Sequence, residues 1–371
     1  MHCRRCGDAL HAQRPVRTRI GRSVARGVAC ALLLGLAGAP AAQSLTFYRL
    51  QSVTVLPGAA PAWDYLTFDA ARDRLFLDRR KDGVSVFDVA TRRVVATIAD
   101  SQGANATILV PADNLGYTVN GDGTTTRFRL STLKTLRRIR FGRNADAGSY
   151  EPVTGQLVFT MGDSSAIAFM DARSGRVTAT LPMPSRKLEA SAPDGHGDLF
   201  MAEQDRNAVV RIDARRHAVT ATWSTLPCHQ PTGLAYDAVD RRIFVGCRSD
   251  HPMLAVLDTD GGALVASVAI GRGNDGVAWD AARHAIVTSN GVDANLVIVR
   301  QLDADRYRLE QAVTTQPTAR TLALDTVRDR IFLVTADGAV DPHKKILREV
   351  APFYPNVYFD NTYRVLIYAR R

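Results

Sequence analysis

Phe68-Asp69-Ala70-Ala71-Arg72-Asp73-Arg74-Leu75-Phe76-Leu77 returns as Tyr236-Asp237-Ala238-Val239-Asp240-Arg241-Arg242-Ile243-Phe244-Val245, and again as Leu324-Asp325-Thr326-Val327-Arg328-Asp329-Arg330-Ile331-Phe332-Leu333. Each copy runs from an apolar residue and an acid, through a short turn, into a β-rich apolar run. The residue after the apolar anchor falls at Asp69, Pro111, Glu151, Pro193, Asp237, Asp280 and Asp325, with steps of 42, 40, 42, 44, 43 and 45 residues. One four-stranded propeller blade needs that period. The chain therefore reads as all-β, a seven-bladed β-propeller of four-stranded antiparallel blades.

Strands can be assigned within each unit. In the first, Tyr65–Phe68 and Arg74–Leu77 flank the turn at 70–73, Val84–Asp88 alternates as a third strand, and Val94–Ile98 is the fourth. Third-strand phrases ending in an acid recur at Asp171, Asp213 and Asp258. An acid followed by glycine or a basic residue is turn chemistry, so these acids are expected to be structural. The seventh unit has its first strands at 321–324 and 330–334, an irregular stretch from Asp337 to Asn361, and a third strand at Tyr363–Tyr368. Its missing fourth strand is expected to be supplied by the N-terminal Leu45–Leu50, which would pair two exposed edges and close the ring.

Residues 1–42 read as a secretory signal rather than as part of the fold. Arg14, Arg17, Arg19, Arg22 and Arg26 precede the apolar run Val28–Ala37, and small residues follow at 39–42. The run is too short for a comfortable membrane span. Residues 43–371 then form the propeller domain, expected to be periplasmic or secreted, with no membrane span once the signal is cleaved. Of the formal charge of +10, the signal carries +6 and the remaining chain +4. So even a balance gives nucleic-acid binding no support. Cys3, Cys6 and Cys30 fall in the signal, leaving Cys228 and Cys247. A hairpin turning near Val239 would bring those two together, so an exported chain could join them as a disulfide; two separate buried thiols are the alternative.

Gly116-Tyr117-Thr118-Val119-Asn120 resembles the repeat phrase of the YVTN-type propellers, and Arg242–Arg248 and Val256–Asp260 resemble the exported bacterial branch of that family. The resemblance covers essentially the whole chain after the signal. It implies a seven-bladed ring similar in shape to the cytochrome d1 propeller, in a family whose members are usually described as exported binding or interaction proteins. There is no haem or PQQ signature: no Cys-x-x-Cys-His occurs, and tryptophan is too scarce for quinoprotein docking motifs. The cofactor and metal content are open.

Ligands of propellers usually meet the loops leading into the innermost strands. Four residues before each apolar anchor stand Asp64, Ala106, Asp146, Leu188, Thr232, Asp275 and Arg320, with Lys187, Glu189, Asn105, Asn274 and His229 beside them. Second-strand exits add Arg248, Asp250, His251 and Asn290. The candidate ligand-binding set is Asp64, Asp146, Lys187, Glu189, His229, Arg248, Asp275 and Arg320. Its arginines suit an anion, and its carboxylates suit a cation or a hydroxyl-rich ligand. His229, His251 and His343 lack the short spacing of metal ligands, and no phosphate loop or hydrolase motif occurs. The expected function is an exported, non-enzymatic propeller binding a small ligand or a protein partner on its polar channel face. A propeller-type lactonase or other hydrolase, needing a metal cluster or acid–base pair at the channel mouth, is the first alternative. Single-stranded nucleic-acid binding, needing stacking aromatics such as Trp63 and Tyr65, is the second.

Overall fold

The computed structural model describes residues 46–58, 62–344 and 354–371. Contacts divide the chain into Met1–Leu45 and Thr46–Arg371, and the expected signal of residues 1–42 lies outside the described residues. Thr46–Arg371 is a seven-bladed β-propeller of four-stranded antiparallel sheets. Blade 1 comprises Leu66–Asp69, Arg74–Asp78, Val84–Asp88 and Arg93–Thr97. The innermost strands of blades 2 to 7 are Ala104–Val110, Gly148–Glu151, Leu188–Pro193, Pro231–Asp237, Asn274–Asp280 and Leu322–Asp325. Besides strands, the described residues hold only two short 3₁₀ turns, and no helix is long and apolar enough to cross a membrane.

Burial explains the hydropathy along each blade. Second strands are covered on both faces and read as near-continuous apolar runs, as in Gln156–Met161, whereas the outermost strands alternate, as in Val177–Pro182. Neighbouring residues of one strand serve different seams. Leu75 and Leu77 pack with Phe332 of blade 7, while Phe76, between them, packs with Phe128 of blade 2. That two-residue alternation makes each blade depend on both neighbours.

The recurrent acids hold turns. Oδ1 of Asp69 accepts from the Ala71 amide at 3.1 Å, and Asp237, Asp280 and Asp325 accept the equivalent amides of Val239, Ala282 and Val327 at 3.0–3.1 Å. Glu151 does the same with Val153 and Thr154. Third-strand acids repeat the pattern at Asp171, Asp213 and Asp258.

The ring closes as the unpaired edges require. Tyr48–Val55 pairs antiparallel with Arg364–Arg370, which pairs in turn with Arg330–Thr335. The closing strand starts and ends later than Leu45–Leu50, and its pairing runs on past a bulge between Leu50 and Ser52 to Val55. Gln311 of blade 6 clamps it, exchanging two 2.9 Å hydrogen bonds with the Tyr48 backbone. In blade 5, Cys228 and Cys247 are joined by a disulfide with Cα atoms 5.4 Å apart, at the point where Pro231 pairs with Cys247. The 337–361 stretch is not wholly irregular: Gly338–Ala339 and Val357–Tyr358 form a small two-stranded sheet.

Candidate functional site

Local backbone geometry carries several side chains to one mouth of the channel. The Asp64 amide donates to the carbonyl of Asp78 on the second strand, and the Asp146 amide donates likewise to Thr160, so blades 1 and 3 present these two acids alike. In blades 2, 4, 5 and 6 the innermost strand begins with a register shift, between Ala104 and Ala106, Leu188 and Ser191, Pro231 and Leu234, and Asn274 and Gly276. Such bulges re-aim side chains. Asn105, Glu189 and Asp275 stand within these shifts.

Asp64, Asp146, Glu189, Arg248, Asp275 and Arg320 together line a cleft of about 460 Å³, with Trp63, Tyr65, Arg80, Tyr354 and Tyr358. A second cavity of about 250 Å³ continues from it past Arg80, Asp146 and Glu189 to Asn105 and Lys187. Tyr65 forms the floor, because it also lines the channel below. Lys187 is exposed at the rim, and His229 is exposed outside the lining. Counting four residues back therefore selects Asp64, Asp146, Asp275 and Arg320. It misses in blades 2 and 5: Thr232 is fully buried and hydrogen-bonded to Gln204, and Ala106 faces the channel, not the mouth.

Arg320 is the keystone of one half of the mouth. Its Nε donates to Asp275 at 2.7 Å, and Nη2 donates to the Trp63 carbonyl at 2.9 Å and reaches Asp64 at 3.4 Å. Arg80 donates to the other oxygen of Asp64 at 2.6 Å, and Arg248 reaches Asp275 at 3.5 Å. The guanidinium of Arg320 also lies 5.6 Å from the Trp63 ring centroid. Burial opposes the Arg320 charge, but Asp64 and Asp275 outweigh it and raise its pKa. Arg80, Arg320 and Arg248 thus stitch blades 1, 5, 6 and 7 through two buried carboxylates.

The other half is different. Among the described residues, the carboxylates of Asp146 and Glu189 form no hydrogen bond and no ion pair. Glu189 is only 9 % exposed. Burial, then the nearby Asp64 and Asp275, push the Asp146 carboxyl up to about 7. Burial, then Asp146 and Asp275, push Glu189 up to about 8. Burial and the same four acids hold the Tyr65 hydroxyl well above its ordinary value, so it stays protonated.

Sequence reasoning did not single out Arg80, Tyr354 or Tyr358. Trp63 is 2 % exposed, with Tyr358 4.7 Å from its centroid edge-on, so it offers no open face for stacking a base. Its Nε1 is buried without a partner. No three His, Cys, Asp or Glu side chains among the described residues converge as a metal site.

No family model matches the chain, and no curated protein matches it. Solved structures do. The chain is similar to the RRP9 WD40 repeats (TM-score 0.71, 10 % identity, covering 88 % of this chain and 100 % of that one). It is similar to a chain of the mitotic checkpoint complex (TM-score 0.67, 16 % identity, covering 83 % and 95 %). A chain of Kuenenia stuttgartiensis hydrazine synthase matches at TM-score 0.62 and 15 % identity, covering 77 % and 95 %. At these identities the likeness is one of fold.

Proposed function

We propose that this chain is an exported, non-enzymatic β-propeller that binds a small polar ligand in the channel-mouth cleft. The observation that carries the reading is the pair Asp146 and Glu189. Buried polar groups are nearly always hydrogen-bonded, and a buried carboxylate without a partner is costly. Buried Glu189 and half-buried Asp146, both on the wall of a cleft large enough for a small molecule, are what a binding site waiting for its partner looks like. The saturated carboxylates Asp64 and Asp275 across the mouth give the contrast. Export rests on the charged leader and apolar run of residues 1–42, and the Cys228–Cys247 disulfide agrees with an oxidising compartment. Kinship with the exported YVTN-type propellers rests on the repeat phrases.

One observation favours a catalytic reading. Two adjacent carboxylates that hold protons near neutral pH can serve as general acid and base in a hydrolase. Native mass spectrometry of protein purified from its own source, followed by thermal-shift screening with small polar molecules, separates the two. Stabilisation without turnover, lost in Asp146→Asn and Glu189→Gln, supports binding. Turnover of the stabilising compound, abolished by the same variants, replaces it with the hydrolase. No stabilising compound and no retained ligand overturns both.

A further inference from the structure

We infer that the Asp146–Glu189 corner takes a protonated primary or secondary amine that also carries hydroxyl or carbonyl oxygens. The inference rests on the channel-mouth binding reading and narrows it to one ligand chemistry.

Ionised carboxylates only accept hydrogen bonds, so whatever satisfies Asp146 and Glu189 must donate. Among the described residues none supplies that donor: neither side chain has a partner there, although Glu189 is nine-tenths buried. The arginines that line the larger cavity are already committed, Arg80 to Asp64, Arg320 to Asp64 and Asp275, and Arg248 to Asp275. This leaves the cleft little cationic capacity for an anionic ligand. An ammonium group fits better, because it supplies several donors and the opposite charge at once. Its position is fixed by the lining: Asp146 and Glu189 are shared by both cavities, so a nitrogen between them leaves the rest of the ligand room on either side. A second, independent group points to the oxygens. Trp63 belongs to the wall of the larger cavity, and its Nε1, a donor only, is buried there without an acceptor among the described residues.

Occupation of this corner is linked to protons. Without a ligand, the crowded pair retains a proton near neutral pH. It faces Asp64 and Asp275, which favour retention, and Arg80, Arg248 and the rim Lys187, which oppose it. The Tyr65 hydroxyl beneath stays neutral. An ammonium group displaces the retained proton, so affinity should rise with pH by up to about tenfold per unit below neutrality and level off above the pair's titration.

The test is isothermal titration calorimetry of the full chain with three matched pairs: glucosamine and glucose, ethanolamine and ethylene glycol, and 4-aminobutan-1-ol and butane-1,4-diol. Repeating the titrations in buffers of different ionisation enthalpy counts the protons released. The inference expects at least one amine to bind tenfold or more tightly than its alcohol, with release of up to about one proton. Binding should be lost in Asp146→Asn/Glu189→Gln, and Lys187→Ala, which removes an uncommitted rim cation that acts on Asp146, should tighten it severalfold. Should the double variant not fold, each single variant and Lys187→Ala carry the test. Alcohols binding as well as amines, or amines unaffected by these substitutions, overturn the inference while the cleft remains a binding site. No binding by any of the six, with a different compound stabilising the cleft, overturns it as well. No binding by any compound overturns the parent reading too.

Discussion

Replacing Glu189 by glutamine should make the protein more stable, and only at high pH. The folded-state carboxyls of Asp146 and Glu189 are pushed up to about 7 and about 8, from ordinary values of 3.8 and 4.5. Between those limits the folded state holds protons that the unfolded chain has released. Stability therefore falls as pH rises through the window, the reverse of a salt-bridged carboxylate. One proton across the Glu189 interval corresponds to a penalty on the order of 3–5 kcal/mol at the alkaline end. Glutamine keeps the shape and never ionises, so the penalty disappears. Near pH 5 wild type and variant should differ little, because Glu189 is then neutral in the fold. Urea unfolding at about pH 5 and about pH 8.5 measures the two gaps, with equal m-values required before midpoints are compared. A gap that is the same at both pH values would refute the idea that Glu189 is a buried, unpaired acid.

Arg320→Leu should destabilise the domain by ~3–5 kcal/mol, because it strands Asp275 and half-strands Asp64 in a buried site. An unchanged urea midpoint at neutral pH would remove Arg320 from its keystone role. Breaking the Cys228–Cys247 bond, which spans 19 residues, should cost ~3 kcal/mol, read as a lower melting temperature after reduction or in Cys228→Ser/Cys247→Ser. Deleting residues 46–56 should lower the melting temperature of the whole domain, since it bares the edge of blade 7. A truncated protein with the parent melting curve would contradict closure by strand exchange.

The ring was legible because every blade solves one local problem with the same residues. Asp69, Glu151, Asp237, Asp280 and Asp325 cap equivalent turns, so their recurrence in sequence maps directly onto recurrence in space. The mouth was legible only in part. Asp64, Asp146, Asp275 and Arg320 follow from a fixed count, with Glu189 and Asn105 beside counted positions, but the register shifts at which Asn105, Glu189 and Asp275 stand are not visible in a period. Arg80 sits in a left-handed turn (φ 43°) and looks in sequence like any turn arginine. Tyr354 and Tyr358 arrive through a stretch whose two-residue strands are too short to leave a hydropathy pattern. His229 has the right chemistry in the right loop, yet it follows Cys228, whose disulfide fixes the loop outside the cleft.

The clamp between Tyr48–Val55 and Arg364–Arg370 also sets an order of events in folding. Its two strands lie far apart along the chain, and bringing them together costs a loop-closure entropy that the neighbouring strands within a blade are spared. Hairpins within blades can therefore form before the seam joining blades 7 and 1 does. Until that seam forms, the outer edge of Arg364–Arg370 has no native mate. A free peptide of residues 46–56 added during refolding should therefore compete with closure rather than assist it.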